Sequence, residues 1–227
     1  MIKSVEKSEA IVIPATESHI GVIKQIIDLA ERSGSPFFPL QSLFDLDAEQ
    51  TEALMEALIH ESGSYYCWKK FWLLQVGGEV VGGCAAWIEE AGFGGDLIVT
   101  ELVADLFGFF YIEKAAHRLN LLRALSLPRE PGTLQLDSIA IFPSHQGQGL
   151  VQYLLENVMA FYCRQGIRNV QIQLVGANER AFRAYQKLGF IVKQRRKGDE
   201  QLNSFYPGNE KVLMERECQS NLSFATQ

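Results

Sequence analysis

The sequence predicts an α/β or α+β fold, a sheet with helices packed on it. Three observations carry this. Strand-like and helix-like apolar patterns alternate along the 227 residues. A hairpin signal spans Phe71–Ile88. A strand, a glycine-rich turn and a long helical pattern follow one another from Leu134 to Gly166.

The elements follow in order. Ala10–Ile13 is a short apolar run closed by Pro14, a first strand. Thr16 or Ser18 then caps a helix with apolar residues at Ile20, Ile23, Ile27 and Ala30. Ser33–Pro39 breaks it. Asp47 opens a second helix with Leu54 and Leu58 on one face and Gly63 just past its end. Phe71–Val76 and Val80–Ile88 flank Gly77-Gly78, which supply the positive φ of a tight hairpin turn. Gly82-Gly83 lies inside the second of these strands and marks a bulge or a close backbone approach. Gly92–Gly95 is a loop. Leu97–Leu127 is apolar with helical spacing interrupted at Gly108, hence two helices, closed by Pro128 and Pro131. Leu134–Phe142 is the clearest strand. After Gly147 and Gly149 the helical pattern runs through Leu150, Tyr153, Leu154, Val158, Phe161 and Tyr162. Val170–Val175 is a strand that alternates with Gln171 and Gln173. Glu179–Leu188 is a helix with Gly189 at its end, and Phe190–Val192 and Lys211–Met214 are the last strands.

Composition bounds the function. Residues are 47% hydrophobic and 21% charged, a globular balance. Twenty-one Lys and Arg against 27 Asp and Glu leave a net charge of −6, which disfavours nonspecific nucleic-acid binding. No nucleic-acid or membrane partner is expected. The longest uncharged run, Ser138–Leu155, carries Pro143, His145 and three Gln, and is no membrane span. Met1–Glu9 has no apolar h-region. Cys67, Cys84, Cys163 and Cys218 show no CxxC or CxxH spacing, so no metal is expected. They are expected to be scattered reduced thiols of a cytoplasmic protein.

The most informative stretch is Ile141-Phe-Pro-Ser-His-Gln-Gly-Gln-Gly-Leu-Val151. A helix start leaves N–H groups unpaired and carries partial positive charge, so it suits a phosphate. Glycines let such a ligand approach the backbone. A purely structural strand-to-helix turn remains the alternative. A P-loop needs Gly-Lys-Ser/Thr, which is absent, and a dinucleotide fingerprint fails at Gln152. The second stretch runs from Asn178, a helix cap, to Phe190, with Ala181, Ala184, Tyr185 and Leu188 on one face.

Together the two stretches resemble the GNAT superfamily of acyl-CoA-dependent N-acyltransferases. The family's (Arg/Gln)-x-x-Gly-x-(Gly/Ala) loop is met at Gln146 and Gly149, with Val151 in place of the last small residue. Its later segment is met at Asn178, Ala181, Tyr185, Lys187, Gly189 and Phe190. The resemblance implies one GNAT-like domain over 1–227. Its mixed, mainly antiparallel sheet would carry helices on both faces, with a helical insert at about 91–131 before the CoA-binding strand. It implies acetyl-CoA as co-substrate. Gln146, Gly147, Gln148, Gly149, Leu150 and Val151 would hold the pyrophosphate. Ile139, Ala140 and Ile141 would pair with the pantetheine arm between splayed strands, and Asn178 would border it. Val151 is expected to weaken CoA affinity without abolishing it.

The implied chemistry is direct attack of a primary amine, on a small molecule or peptide, on the thioester. Tyr185 matches the family's general acid, and Asp137, on the strand before the loop, is the expected base. Glu89 and Glu90 are weaker candidates, and water is another. No acyl-enzyme is required, so Cys84 is expected in the core. His145, Arg180, Arg183 and Lys187 are surface residues within reach of a phosphate, and the basic run Lys193–Lys197 is expected to be a solvated hairpin end. The insert, with Phe107, Phe109, Phe110 and Tyr111, is core, a roof over the acceptor pocket, or a homodimer contact. A non-catalytic acyl-CoA-binding or sensing module is the alternative function, and a relative without CoA binding is a third.

Overall fold

The computed structural model describes residues 10–91 and 95–218. The predicted Gly92–Gly95 loop therefore lies largely outside the described residues. Among these residues seven strands form one sheet: β1 (Ala10–Pro14), β2 (Phe71–Val76), β3 (Glu79–Ile88), β4 (Leu134–Ile141), β5 (Asn169–Val175), β6 (Ile191–Lys197) and β7 (Glu210–Glu217). Their order is β1-β2-β3-β4-β5-β7-β6. Among the described residues only β4 and β5 pair in parallel; the other neighbours are antiparallel. The mainly antiparallel mixed sheet matches the expectation.

Among the described residues seven α-helices accompany the sheet: α1 (Ile20–Arg32), α2 (Pro39–Phe44), α3 (Ala48–His60), α4 (Gly95–Phe107), α5 (Phe109–Leu125), α6 (Leu150–Cys163) and α7 (Glu179–Lys187). Two apolar clusters cover the two faces. One gathers Ile23, Ile26 and Ile27 of α1 with Phe44, Leu58, Leu125, Leu73 and Ala85. The other gathers Leu150, Leu154 and Val158 of α6 with Tyr185, Leu74, Cys84, Ala86 and Ile172. Adjacent residues such as Leu73 and Leu74 enter opposite clusters because strand side chains alternate.

Local signals act as predicted in several places. Asp47 accepts from the Gln50 N–H, and Gln50 returns the bond, forming a capping box before α3. Gly77 and Gly78 take positive φ in the β2–β3 turn. Gly108, at φ 91°, separates α4 from α5. Thr16 caps a short 3-10 turn that runs into α1.

The Ser33–Pro39 break ends α1 at Arg32 as expected, but its last residue starts a short helix, α2, that the apolar pattern does not announce; proline is pre-organised for the first helical position. Three expectations need correction. The last two strands extend well beyond their apolar cores, because β6 pairs along most of its length with β7 despite its basic sequence. Gln171 is fully buried although its strand alternates. Its side chain accepts from Gln135 Nε2 at 3.0 Å and donates to Glu215 Oε2 at 2.8 Å. Finally, Cys163 and Cys218 form a disulfide across a separation of 55 residues, so only Cys67 and Cys84 are free, both buried. Folding brings the end of α6 beside the end of β7, which no spacing rule shows. The inference of a reducing compartment from four free thiols loses that support.

Candidate active site

The site begins where β4 leaves β5. Their pairing covers Leu134↔Val170, Gln135↔Gln171 and Leu136↔Ile172, and stops there. On its other edge β4 pairs with β3, where Gly83 faces Ala140 and Ala85 faces Asp137, so β4 holds one extra residue. Ser138 sits in this bulge at φ 45°. Beyond it, Ile139, Ala140 and Ile141 have no ladder partner in β5. Gly82 and Gly83 let β3 lie close: a Cβ on Gly82 would strike the Ala140 carbonyl oxygen and come within 2.9 Å of the Ile141 Cα.

Two hollows meet at this opening. A groove of about 1060 Å³ is lined by Ile139, Ala140, Ile141, His145, Gln146, Gly147, Gly149, Leu150, Val151 and Asn178. A cavity of about 310 Å³ lies beside it, with Glu31, Tyr65, Tyr66, Asp137, Ser138 and Lys211 on its wall. Ile139, Asn178 and Tyr185 line both. Leu97, Val99, Leu119 and Leu122 of α4 and α5 also line the cavity, so the insert roofs it.

The turn before α6 is shaped for close approach. Gly147 and Gly149 have φ of 80° and 74°, and a Cβ on Gly147 would meet nothing within 4 Å. The first N–H groups of α6 thus open onto the groove without a side chain in front of Gly147. Gln146 Nε2 donates to the Ile141 carbonyl at 2.7 Å, and Arg180 donates to Gln146 Oε1 at 2.6 Å, pinning the turn to β4 and α7. Leu150 is buried in the core and Val151 packs against it, although both border the groove. Gln148 departs from expectation: it does not line the groove, and its Oε1 is buried with no partner among the described residues. The Asn178 Oδ1 caps α7 by accepting from the Ala181 N–H at 3.1 Å.

Tyr185 projects from α7 and is 6% exposed. Burial first, then the negative charge of Asp137, push its phenol above the ordinary range, so it holds its proton at neutral pH. Asp137 accepts from Arg129 at 2.9 Å through Oδ2, and from the Ser138 N–H at 2.7 Å through Oδ1. Glu89 accepts from Trp87 Nε1 at 2.9 Å; neither it nor Glu90 lines the cavity. Cys84 is in the core as expected.

Glu31, in the last turn of α1, carries no motif and escapes sequence reasoning. Burial, then Asp137, push its carboxyl up to about 7. Its sequence signal is an acidic residue at the negative end of a helix, where the macrodipole disfavours it. The basic run on β6 is mostly consumed by partners. Lys193 pairs with Glu130 and Glu215, Arg195 lies 5.1 Å from the Phe182 ring, and Arg196 donates to the Ser126 carbonyl. His145, Arg183 and Lys187 border the groove.

The sequence profile of the Acetyltransferase (GNAT) family matches residues 40–190. The chain belongs to the GNAT acetyltransferase family. As a GNAT protein it is an acyltransferase, and acetyl transfer is the family's activity. An N-acetyltransferase from Staphylococcus aureus Mu50 superposes with a TM-score of 0.63 at 12% identity, covering 91% of this chain and 100% of that one. A GNAT family acetyltransferase from Elizabethkingia anophelis with acetyl-CoA bound gives 0.53 at 14%, covering 93% and 100%. The ribosomal-protein-S18-alanine N-acetyltransferase from Escherichia coli gives 0.51 at 15%, covering 95% and 99%. At these identities the likeness speaks for the fold. No curated protein matches the sequence. No helix among the described residues is long and apolar enough to cross a membrane, and no cluster of metal-ligating side chains occurs among them.

Proposed function

We propose that this GNAT protein transfers an acetyl group from acetyl-CoA to a primary amine of a small molecule or peptide by direct attack. The observation that carries the reading is the junction at Tyr185. A groove with a positive-φ glycine turn meets a separate, roofed cavity there, between strands that have parted. The bound acetyl-CoA of the Elizabethkingia anophelis relative supports the choice of co-substrate.

Each residue then has a role. The N–H groups at Gly147–Val151 bind pyrophosphate oxygens, aided by the positive end of α6. The unpaired edge of Ile139–Ile141 takes the pantetheine arm as an added strand. His145, Arg183 and Lys187 border the groove where further phosphate charge would lie. Tyr185 donates its proton to the departing sulfur. Two carboxyls, Asp137 and Glu31, stand in the cavity where the amine arrives, and this pair receives its proton. No side chain needs to carry the acetyl group.

Calorimetric titration of acetyl-CoA into protein freed of CoA is the first test. One site per chain at micromolar affinity supports the groove assignment. Thiol release with a panel of amines, polyamines, amino acids and peptides is the second. Binding without thiol release from any of them would favour a sensing module instead.

A further inference from the structure

The carboxyl pair is not symmetric. Asp137 has both oxygens engaged, one by the Arg129 guanidinium and one by the Ser138 N–H that holds the bulge. Its geometry serves the fold of β4, and a proton placed on it would weaken an ion pair. Glu31 is held differently. Among the described residues, hydroxyl groups hydrogen-bond to it. Ser138 Oγ lies 3.4 Å from its Oε1, and Tyr66 is a further hydrogen-bond partner. Lys211 and Tyr206 from the β7 side, and Asp137 from β4, also face it electrostatically. All of these residues line the roofed cavity, on whose wall Tyr185 also lies.

We propose that Glu31 is the catalytic base of acetyl transfer, docking the acceptor's ammonium group and taking its proton, with Asp137 as a positioning residue. This rests on the acetyl-transfer reading above. The bulge gives the arrangement its physical logic. The extra residue in β4 parts that strand from β5 and turns Ser138 into the left-handed region, beside the carboxyl of Glu31. One backbone irregularity thus opens the place for the thioester and sets the base beside it.

The chemistry balances. The ammonium yields one proton to Glu31, and its nitrogen then bonds to the acetyl carbon as the carbon–sulfur bond breaks. Tyr185 gives its proton to the sulfur and recovers one through water from the acylated nitrogen. The products are an amide, a free thiol and one proton, which Glu31 releases to solvent. A carboxyl at about 7 is closer to an alkyl amine than an ordinary carboxylate is. Ordinary values are about 4.3 for glutamate and about 10.4 for a lysine-like amine, so burial reduces the uphill cost of the transfer.

The test compares wild type, Glu31→Gln and Asp137→Asn, with thiol release followed from pH 5.5 to 9 and acetyl-CoA affinity measured by calorimetry. Wild-type kcat/KM should rise through a limb near pH 7, as Glu31 loses its proton. Glu31→Gln should lower kcat by about 10²-fold or more, abolish that limb and leave CoA affinity unchanged. An acceptor amine already neutral at pH 7 should lose far less. Asp137→Asn should lower the rate but keep a limb. A Glu31→Gln protein with wild-type rate and profile overturns the assignment and leaves the acetyl-transfer reading standing. So does a limb that disappears only in Asp137→Asn. Bound acetyl-CoA with no thiol release in wild type overturns the reading and the assignment with it.

Discussion

Tyr185 and Glu31 show how one cavity pushes two side chains in the same direction for the two different roles proposed. Each is desolvated, and each feels the charge of Asp137. The phenol therefore stays protonated and fit to donate, while the carboxyl titrates near neutrality and is fit to accept. Tyr185→Phe should lower kcat by about 10²–10⁴-fold with acetyl-CoA affinity unchanged in calorimetry; equal activity would remove the acid assignment. Glu31 also makes a stability prediction. Its folded value, about 7, lies above its unfolded one, so the native state binds more protons between about pH 4.5 and 7. Stability is therefore lost as pH rises through that window, and the cost is fully present above it. Glu31→Gln should gain denaturant stability relative to wild type as pH climbs from about 4.5 to above 7, and a gap that does not change with pH would contradict this. Tyr185 was legible because its neighbours from Asn178 to Phe190 form a recognisable string. Glu31 was not, since Ala30-Glu31-Arg32 looks like any solvated helix end.

At the scale of elements, close backbone approach sets the opening. The glycine pair on β3 announced itself in the sequence, but its purpose appears only against β4. Gly82→Ala would drive a methyl into the backbone of Ala140 and Ile141. It should cost about 1–3 kcal/mol in a denaturant titration and weaken CoA binding as β4 shifts. The turn before α6 makes a second case. Gly149→Ala forces an L-residue to φ 74°, at a cost of about 1–2 kcal/mol. Acetyl-CoA titration should show weaker binding, and unchanged affinity would mean the turn tolerates the strain. Helix caps were legible because they are local, as Asp47 and Gln50 show. Strand lengths were not. The basic sequence of β6 conceals a paired strand, since ladder bonds come from the backbone and its charges find partners on neighbouring elements.

Across the whole molecule, two apolar clusters hold the sheet from both faces, and the insert closes the cavity on one of them. The insert's outer surface still shows Phe109 and Phe110, at 76% and 68% exposure. The Cys163–Cys218 disulfide joins the end of α6 to the end of β7. Reducing it should lower stability by about 2–4 kcal/mol, measured as a drop in denaturant midpoint with and without reductant. Thiol counting on unfolded, unreduced protein should find two free thiols, Cys67 and Cys84; four would refute the pairing.

Residue order alone was enough for a sheet with helices packed on it, the glycine turn before α6, the helix carrying Tyr185 and hence the family resemblance that implied a mixed sheet, because these signals lie in residues near one another along the chain. Hydrophobic period, capping and positive φ are local properties. The tertiary structure alone decided which groups share a space: Glu31 of α1 beside Ser138 of β4, Arg129 on Asp137, Gln171 buried under the Pro128–Thr133 segment, and Cys163 bonded to Cys218. Those pairings join residues from 8 to 107 positions apart, and only the packing of helices on the sheet brings them into contact.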